Sequence, residues 1–424
     1  MKSTVKLARI HVRRQYGWAA VILAMAVPTP MIPLAQADVL DPIGGAFGES
    51  KPLFDTRLRF EDVDQDPMAN QAEALTLRSR LGFETGKAWE TSLLAEGEFV
   101  WPLKSDYNST TNGKTGYPIV ADPETYEINR LQLVNTAIPM TTVTLGRQRI
   151  LLDDQRFVGN AGWRQNEQTF DALRLVNRSA RNLTLDFSYL QQVNRPFGKE
   201  SVQGRYEGDS LLGNVSYQLP IGKITGFGYW LEFDPIAAVP AAVRDSSETW
   251  GVRFAGERPL RKIKLAYAAS WASQQQRGDN PLTFDNDYYL LEATASYRQY
   301  SLAVGTEVLE GNGVKGFTTP LASLHRFKGW ADKFTTTPVN GIEDRYANLG
   351  ASLKSVGSLD TLTFQAGYHA YVAERISLDY GDEWNLQMQA KYQRFLGTLK
   401  YADYHADRLL TDTTKLWVQL EYIW

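Results

Sequence analysis

The chain contains no cysteine. Disulfides, thiolate nucleophiles and cysteine metal sites are therefore excluded, and stability must come from packing and backbone pairing. Histidine is nearly absent: after residue 37 only His325, His369 and His405 remain. None stands beside a patterned serine or aspartate, so no nucleophile–base pair is legible and an enzyme is not expected. Basic residues are not in excess, which argues against nucleic acid as a partner, because phosphate binding needs a dense basic surface. No apolar run after residue 37 is long enough for a membrane-crossing helix. The acidic pairs Asp153-Asp154 and Asp279/Asp285/Asp287 lack the turn glycine and terminal glutamate of a calcium loop, so no metal and no other cofactor is expected.

What is present begins at the N-terminus. Lys2, Lys6, Arg9, Arg13 and Arg14 precede the apolar stretch Trp18 to Val27, no acid occurs before Asp38, and the segment closes on Ala35-Gln36-Ala37. A charged head, a short apolar middle and small residues at the cleavage positions describe a secretory signal peptide over 1–37. Its removal leaves 40 basic and 48 acidic residues, a formal charge of −8. The remaining sequence holds most of 21 Tyr, 18 Phe and 11 Trp, yet its mean hydropathy is negative, −0.34 over the whole chain. Aromatic-rich but polar on average is the signature of a barrel whose lipid-facing and lumen-facing residues alternate.

That alternation is explicit. At the C-terminus Leu416, Val418, Leu420, Tyr422 and Trp424 are apolar at every second position, with Trp417, Gln419, Glu421 and Ile423 between them. A chain ending on such a strand, with a terminal aromatic, resembles the signal by which the barrel-assembly machinery recognises outer-membrane proteins. The same period of two recurs in Leu75-Leu77-Ser79-Leu81-Phe83, Ile263-Leu265-Tyr267-Ala269-Trp271 and Trp384-Leu386-Met388-Ala390-Tyr392. Eighteen such segments start near residues 53, 74, 90, 125, 141, 167, 181, 208, 222, 246, 261, 284, 300, 343, 359, 381, 395 and 415. Their connections alternate in length. Gly86-Lys87-Ala88, Pro220-Ile221-Gly222 and Arg298-Gln299 are short, whereas 102–124, 152–166, 191–207, 234–245 and 310–342 are long. The expected fold is all-β: a transmembrane antiparallel barrel of about 18 strands, with short periplasmic turns and long extracellular loops. It spans 53–424 after a periplasmic lead-in at 38–52. A barrel of this width leaves an aqueous passage unless loops fold into it, and 310–342 is the candidate.

Parity assigns the lumen face. It carries Arg57, Arg59, Arg78, Arg80, Glu84, Glu96, Glu98, Asp186, Glu232, Arg253, Lys264, Glu292, Glu307, Lys391 and Lys400. A charge on the lipid face costs about 2–4 kcal/mol near the midplane. Arg57/Arg59 and Arg78/Arg80 sit on adjacent strands, so four guanidinium groups can form one basic patch suited to carboxylates. Pairing with Glu96 and Glu98 is the competing reading. Arg147 and Arg149 break the pattern by following Val143 and Leu145 onto the lipid side; a bulge at Gly146 would turn both inward.

The strings Gly146-Arg147-Gln148-Arg149-Ile150, Asp153-Asp154-Gln155-Arg156-Phe157-Val158-Gly159 and Trp163-Arg164-Gln165-Asn166-Glu167-Gln168-Thr169-Phe170-Asp171-Ala172 resemble the alginate export family of outer-membrane proteins. So does Thr319-Pro320-Leu321-Ala322-Ser323-Leu324-His325-Arg326-Phe327-Lys328-Gly329-Trp330-Ala331-Asp332-Lys333-Phe334. The resemblance implies an eighteen-stranded porin whose basic lumen passes a polyuronate, and a pore-lining, carboxylate-binding role for Arg147 and Arg149. The expectation is a passive outer-membrane channel, embedded in lipid, exporting an acidic polysaccharide such as alginate. Uptake of small organic anions or other nutrients is the alternative.

Overall fold

A computed structural model describes residues 37–235 and 242–424, with side chains from residue 41 onward. The expected signal peptide, 1–37, lies outside the described residues, save its last, Ala37. A helix, α1 (Ala37–Gly48), occupies the expected lead-in. It meets the first periplasmic turn through the Ala46 carbonyl, which accepts the Gly86 N–H at 2.8 Å, and through the Phe47–Phe83 ring contact.

Eighteen strands follow. They are β1 (Lys51–Gln65), β2 (Ala72–Glu84), β3 (Thr91–Asp106), β4 (Thr125–Asn135), β5 (Thr141–Gln148), β6 (Thr169–Asn177), β7 (Leu183–Asn194), β8 (Arg205–Leu219) and β9 (Gly222–Leu231). Then come β10 (Ser247–Leu260), β11 (Ile263–Gln276), β12 (Asp285–Tyr297), β13 (Tyr300–Leu309), β14 (Ile342–Val356), β15 (Leu359–Val372), β16 (Asp379–Tyr392), β17 (Phe395–Ala406) and β18 (Thr413–Ile423). Each pairs antiparallel with its sequence neighbours, and β1 pairs with β18 from Asp55↔Ile423 to Gln65↔Thr413, so no edge is left open.

The outward face is a band of exposed apolar side chains that includes Leu58, Leu81, Leu133, Leu173, Phe187, Val252, Leu291, Leu349, Leu386 and Val418. Aromatics flank it. Tyr126, Tyr189, Trp250, Trp271, Tyr289 and Trp384 stand toward the extracellular ends; Tyr217, Tyr297, Tyr300, Tyr392, Phe395 and Trp424 stand near the periplasmic turns. Such girdles mark the two membrane interfaces. Leu291, at the middle of β12, is 64% exposed and has no side-chain role except toward lipid. Leu291→Arg is expected to destabilise the inserted barrel by about 2–4 kcal/mol, measured by urea titration in lipid bilayers; an unchanged midpoint would place this face in water.

Candidate pore constriction

The lumen is crossed by two loops, 149–168 and 310–341, here L3 and L7. The length of 310–342 pointed to one of them. The other arises because β5 stops after eight residues. Gly146 has φ +111°, a conformation in which a side chain would be strained, and the chain turns into the barrel after Gln148. There L3 runs like a spoke. Asp153 meets Lys223 of β9 at 2.6 Å and Asp154 meets Arg253 of β10 at 2.9 Å, so neither acid is free for a cation. Arg156 donates to Glu307 of β13 at 2.5 and 3.2 Å and to the Thr319 hydroxyl at 3.0 Å. Ile150, Leu152, Val158 and Phe170 join a buried apolar cluster with Phe227, Tyr229, Tyr288 and Phe317 that continues through Phe334 to Tyr371, Tyr404 and Trp417.

The two loops are joined to each other. Val158 and Leu321 form a parallel bridge, Gly159 N–H donates to the Leu321 carbonyl at 2.8 Å, and Ser323 N–H donates to the Gln155 carbonyl at 3.1 Å. The Gln168 amide donates to both the Gly159 and Leu321 carbonyls at 2.8 Å. The sequence blocks 153–159, 163–168 and 319–334 are thus the halves of one lumenal plug. Gly329, at φ +78°, packs against Tyr371 and Glu383 where a Cβ would collide.

The four arginines of β1 and β2 lie on the lumen face but do not form an open basic wall. Arg59 and Arg78 have no solvent exposure, and Arg57 and Arg80 are buried. Arg57 pairs with Glu421, Arg78 with Asp55 and Arg80 with Glu98. Arg57 also donates to the carbonyls of Gly162, Trp163 and Arg164 at 3.1–3.2 Å, and Arg59 donates to the Trp163 carbonyl at 2.5 Å and to the Gln419 side-chain oxygen. A guanidinium fork satisfies carbonyls as readily as carboxylates, and here it seats the tip of L3.

Other assignments divide. Arg149 does enter the lumen, bonding Glu167 at 2.6 Å, because the strand has ended and not because its parity has flipped. Arg147 is a correction: its register continues from Leu145↔Leu173 without a shift, so it keeps the outward side and is neutralised there by Asp171 at 2.7 and 2.9 Å. Arg130 and Arg174 face inward onto Glu96 and Asp186. Lys264 has lumen parity but stands at the periplasmic rim, paired with Glu257 at 2.6 Å, and Lys391 is exposed near the periplasmic end of β16. Glu232 lies beyond the end of β9, 3.4 Å from Arg277.

Lys400 of β17 is at the centre of the remaining passage. A cavity of about 1130 Å³ opens between the loops and descends along the β15–β18 wall to Gln365, Gln387 and Lys400. The Lys400 ammonium lies 4.1 Å from the Trp163 ring centroid and 3.8 Å from that of Trp330, a cation held between two indole faces. It donates to His325 Nε2 at 2.7 Å, and His325 stacks on Trp163 with centroids 4.5 Å apart. His325 Nδ1 donates to Asp332 at 2.9 Å. Burial, reinforced by Lys400, pushes the His325 imidazole down to about 3 despite Asp332, so the ring is neutral and its tautomer follows from these two bonds.

Asp332 also receives Arg164 at 2.7 Å, with Lys415 at 3.7 Å. Burial would raise its carboxyl, but His325, Lys415 and Arg164 together hold it below the usual carboxylate range. Lys333, on the same wall, donates to Thr413 at 2.7 Å. Nearer the mouth stand Arg326, which is exposed, and Arg195, stacked 4.2 Å from the Tyr206 ring; neither has an ion-pair partner among the described residues. Lys415 was accessible to parity, since it shares the lumen side with Trp417. Lys333, Trp163 and Trp330 were not, because loops have no period.

This geometry defines an outer-membrane β-barrel channel whose lumen is plugged by two inward-folded loops. The alginate export family matches residues 131–307, from β4 through β13, covering all of L3 and ending at the residue that anchors Arg156. The block 319–334 lies outside that match. Among solved structures, OccAB4 of Acinetobacter baumannii is 14% identical with a TM-score of 0.67, covering 89% of this chain and 98% of its own. OpdO of Pseudomonas aeruginosa is 13% identical with a TM-score of 0.68, covering 90% and 99%. OpdK of Pseudomonas aeruginosa, solved with vanillate, is 14% identical with a TM-score of 0.65, covering 88% and 98%. At this identity the likeness is one of fold: these porins and this chain share the outer-membrane barrel. No curated protein matches the chain closely enough to compare. The protein is a channel of the outer membrane.

Proposed function

We propose that the channel passes small organic anions, carboxylates above all, by passive diffusion along the β15–β18 side of the lumen. The observation that carries this reading is the cavity floor, where Arg164 and Lys415 lie 2.7 and 3.7 Å from the Asp332 carboxylate, with Lys333 and Lys400 on the same wall. Clustered cations lower the electrostatic barrier for an anion, and aromatic faces accept the apolar edge of a sugar or aromatic acid. A cavity of about 1130 Å³ slightly exceeds the ≈ 300–1,000 Å³ of typical small-molecule sites. Passage of a long polymer requires L3 and L7 to leave their seats. The second reading, export of a polyuronate such as alginate, is favoured by the family match over 131–307. Two further elements fit delivery to this membrane: residues 1–37 as a cleaved secretion signal, with 38–52 as lead-in, and the β18 strand ending at Trp424 as the segment the assembly machinery engages.

In planar bilayers under a salt gradient, the zero-current potential is expected to report anion selectivity, and glucuronate monomer to traverse or block the pore. Uronate oligomers that pass at rates similar to the monomer would favour export of a polymer. Cation selectivity would reject both readings.

A further inference from the structure

A site where cations cluster carries a physical difficulty. Coulomb attraction strong enough to admit an anion also holds it, and a channel must release what it binds. The cavity floor contains its own answer. Asp332 extends from L7 into the space bounded by Arg164, Lys415 and His325, and its side chain is 11% exposed to the cavity. Its backbone is fixed on both sides. Glu383 of β16 accepts the Ala331 N–H at 2.8 Å and the Trp330 N–H at 2.5 Å, and Phe334 is wedged among Tyr371, Tyr380 and Tyr404. The side chain can therefore swing while the loop stays. Asp245, the other acid on the cavity wall, is engaged by Lys315 at 2.8 Å and by the Tyr206 hydroxyl at 2.8 Å.

We propose that Asp332 is a built-in competitor of the transported anion: its carboxylate occupies the cation cluster in the empty channel, and an entering carboxylate exchanges with it. Tethered beside its partners, Asp332 competes at an effective concentration in the millimolar range or above, which no solute needs to match for long. Exchange replaces one carboxylate by another, so the cations are never left unpaired and release of the solute is driven by return of Asp332. The residue sets which anions pass: those that satisfy Arg164 and Lys415 at least as well as a carboxylate do so, whereas weaker anions leave Asp332 in place. The inference rests on the anion-channel reading above.

The test uses the full barrel in planar bilayers, with sodium glucuronate as probe. Asp332→Asn keeps the size and the acceptor for His325 but removes the charge. It is expected to lower the glucuronate concentration for half-block at least tenfold and to prolong individual blocking events. Lys415→Gln is expected to move the half-block concentration upward, and it carries the test should D332N fail to assemble. A half-block concentration unchanged or raised in D332N, or unmoved in K415Q, overturns the proposal. Selectivity separates the two levels: a cation-selective wild-type barrel sinks the anion-channel reading itself, whereas anion selectivity with a D332N block equal to wild type sinks the competitor alone.

Discussion

Arg156→Ala is expected to raise single-channel conductance several-fold while leaving the barrel able to insert. The Arg156 guanidinium is fully enclosed, bonded twice to Glu307 and once to Thr319, and lies 4.9 Å from the Phe327 ring centroid. It is the point where L3, L7 and the β13 wall meet. Truncation strands the buried Glu307 carboxylate, with only the Tyr288 hydroxyl at 2.9 Å left among the described residues to bond it. Removing one partner of a buried ion pair costs about 3–5 kcal/mol. The loop-to-loop contacts that remain are the Val158–Leu321 bridge with its flanking hydrogen bonds, each worth about 0.5–1.5 kcal/mol net, the Arg164–Asp332 ion pair and the Trp163–His325 stack. The change therefore loosens L3 from L7 at the β13 wall and widens the passage there, while the eighteen-strand ladder is untouched. Bilayer recording measures the conductance, and heat-modified electrophoresis confirms that the barrel is folded. Arg156→Lys is expected to be intermediate, because an ammonium cannot reproduce the two parallel bonds. Conductance equal to wild type in R156A would mean that the plug is seated elsewhere.

Trp163→Ala should weaken solute binding at the constriction. The indole lies 4.2 Å from the Arg59 guanidinium and 4.1 Å from the Lys400 ammonium, stacks on His325, and meets Trp417 edge-on. Trp163 is partly buried, so its truncation costs less than the about 3–5 kcal/mol of a fully buried tryptophan, and each cation–π contact adds about 0.5–2 kcal/mol. The cations are released toward water while the passage widens by the volume of an indole. Half-block by glucuronate is expected to require at least tenfold more solute, with selectivity for anions over cations retained because the charges remain. Loss of anion selectivity in W163A would show that Trp163 positions Lys400 and does not merely line it.

The barrel was legible because a membrane imposes a rule on every residue of a strand. Hydrocarbon on one side and water on the other force a period of two, and all eighteen segments begin within three residues of the strands. The rule failed where the wall is incomplete. At Arg147 the alternation correctly placed a charge outward, and the bulge at Gly146 was invoked to remove it. The structure accepts it instead, because β5 ends one residue later and Asp171 lies opposite.

The lumen site was less legible. Parity puts Arg57, Arg59, Arg78 and Arg80 inside, but says nothing about what meets them there. Arg57 and Arg59 find partners 104 to 107 positions away in L3 and 360 or more away in β18, whereas Arg78 and Arg80 pair with Asp55 and Glu98 on neighbouring strands, the pairing with Glu98 being the one the sequence offered. Lys400 was found and its role was not, since its neighbours Trp163, Trp330 and His325 belong to loops without periodicity.

The sequence by itself determined the strand number, the inward and outward faces of the regular strands and the membrane that surrounds them, because those follow from local alternation against two solvents. The tertiary structure alone decided which lumen charges are neutralised and which stay available to a solute. That outcome depends on two loops folding inward, and inward folding is set by distant pairs such as Arg156–Glu307 and Arg164–Asp332, which local pattern does not encode.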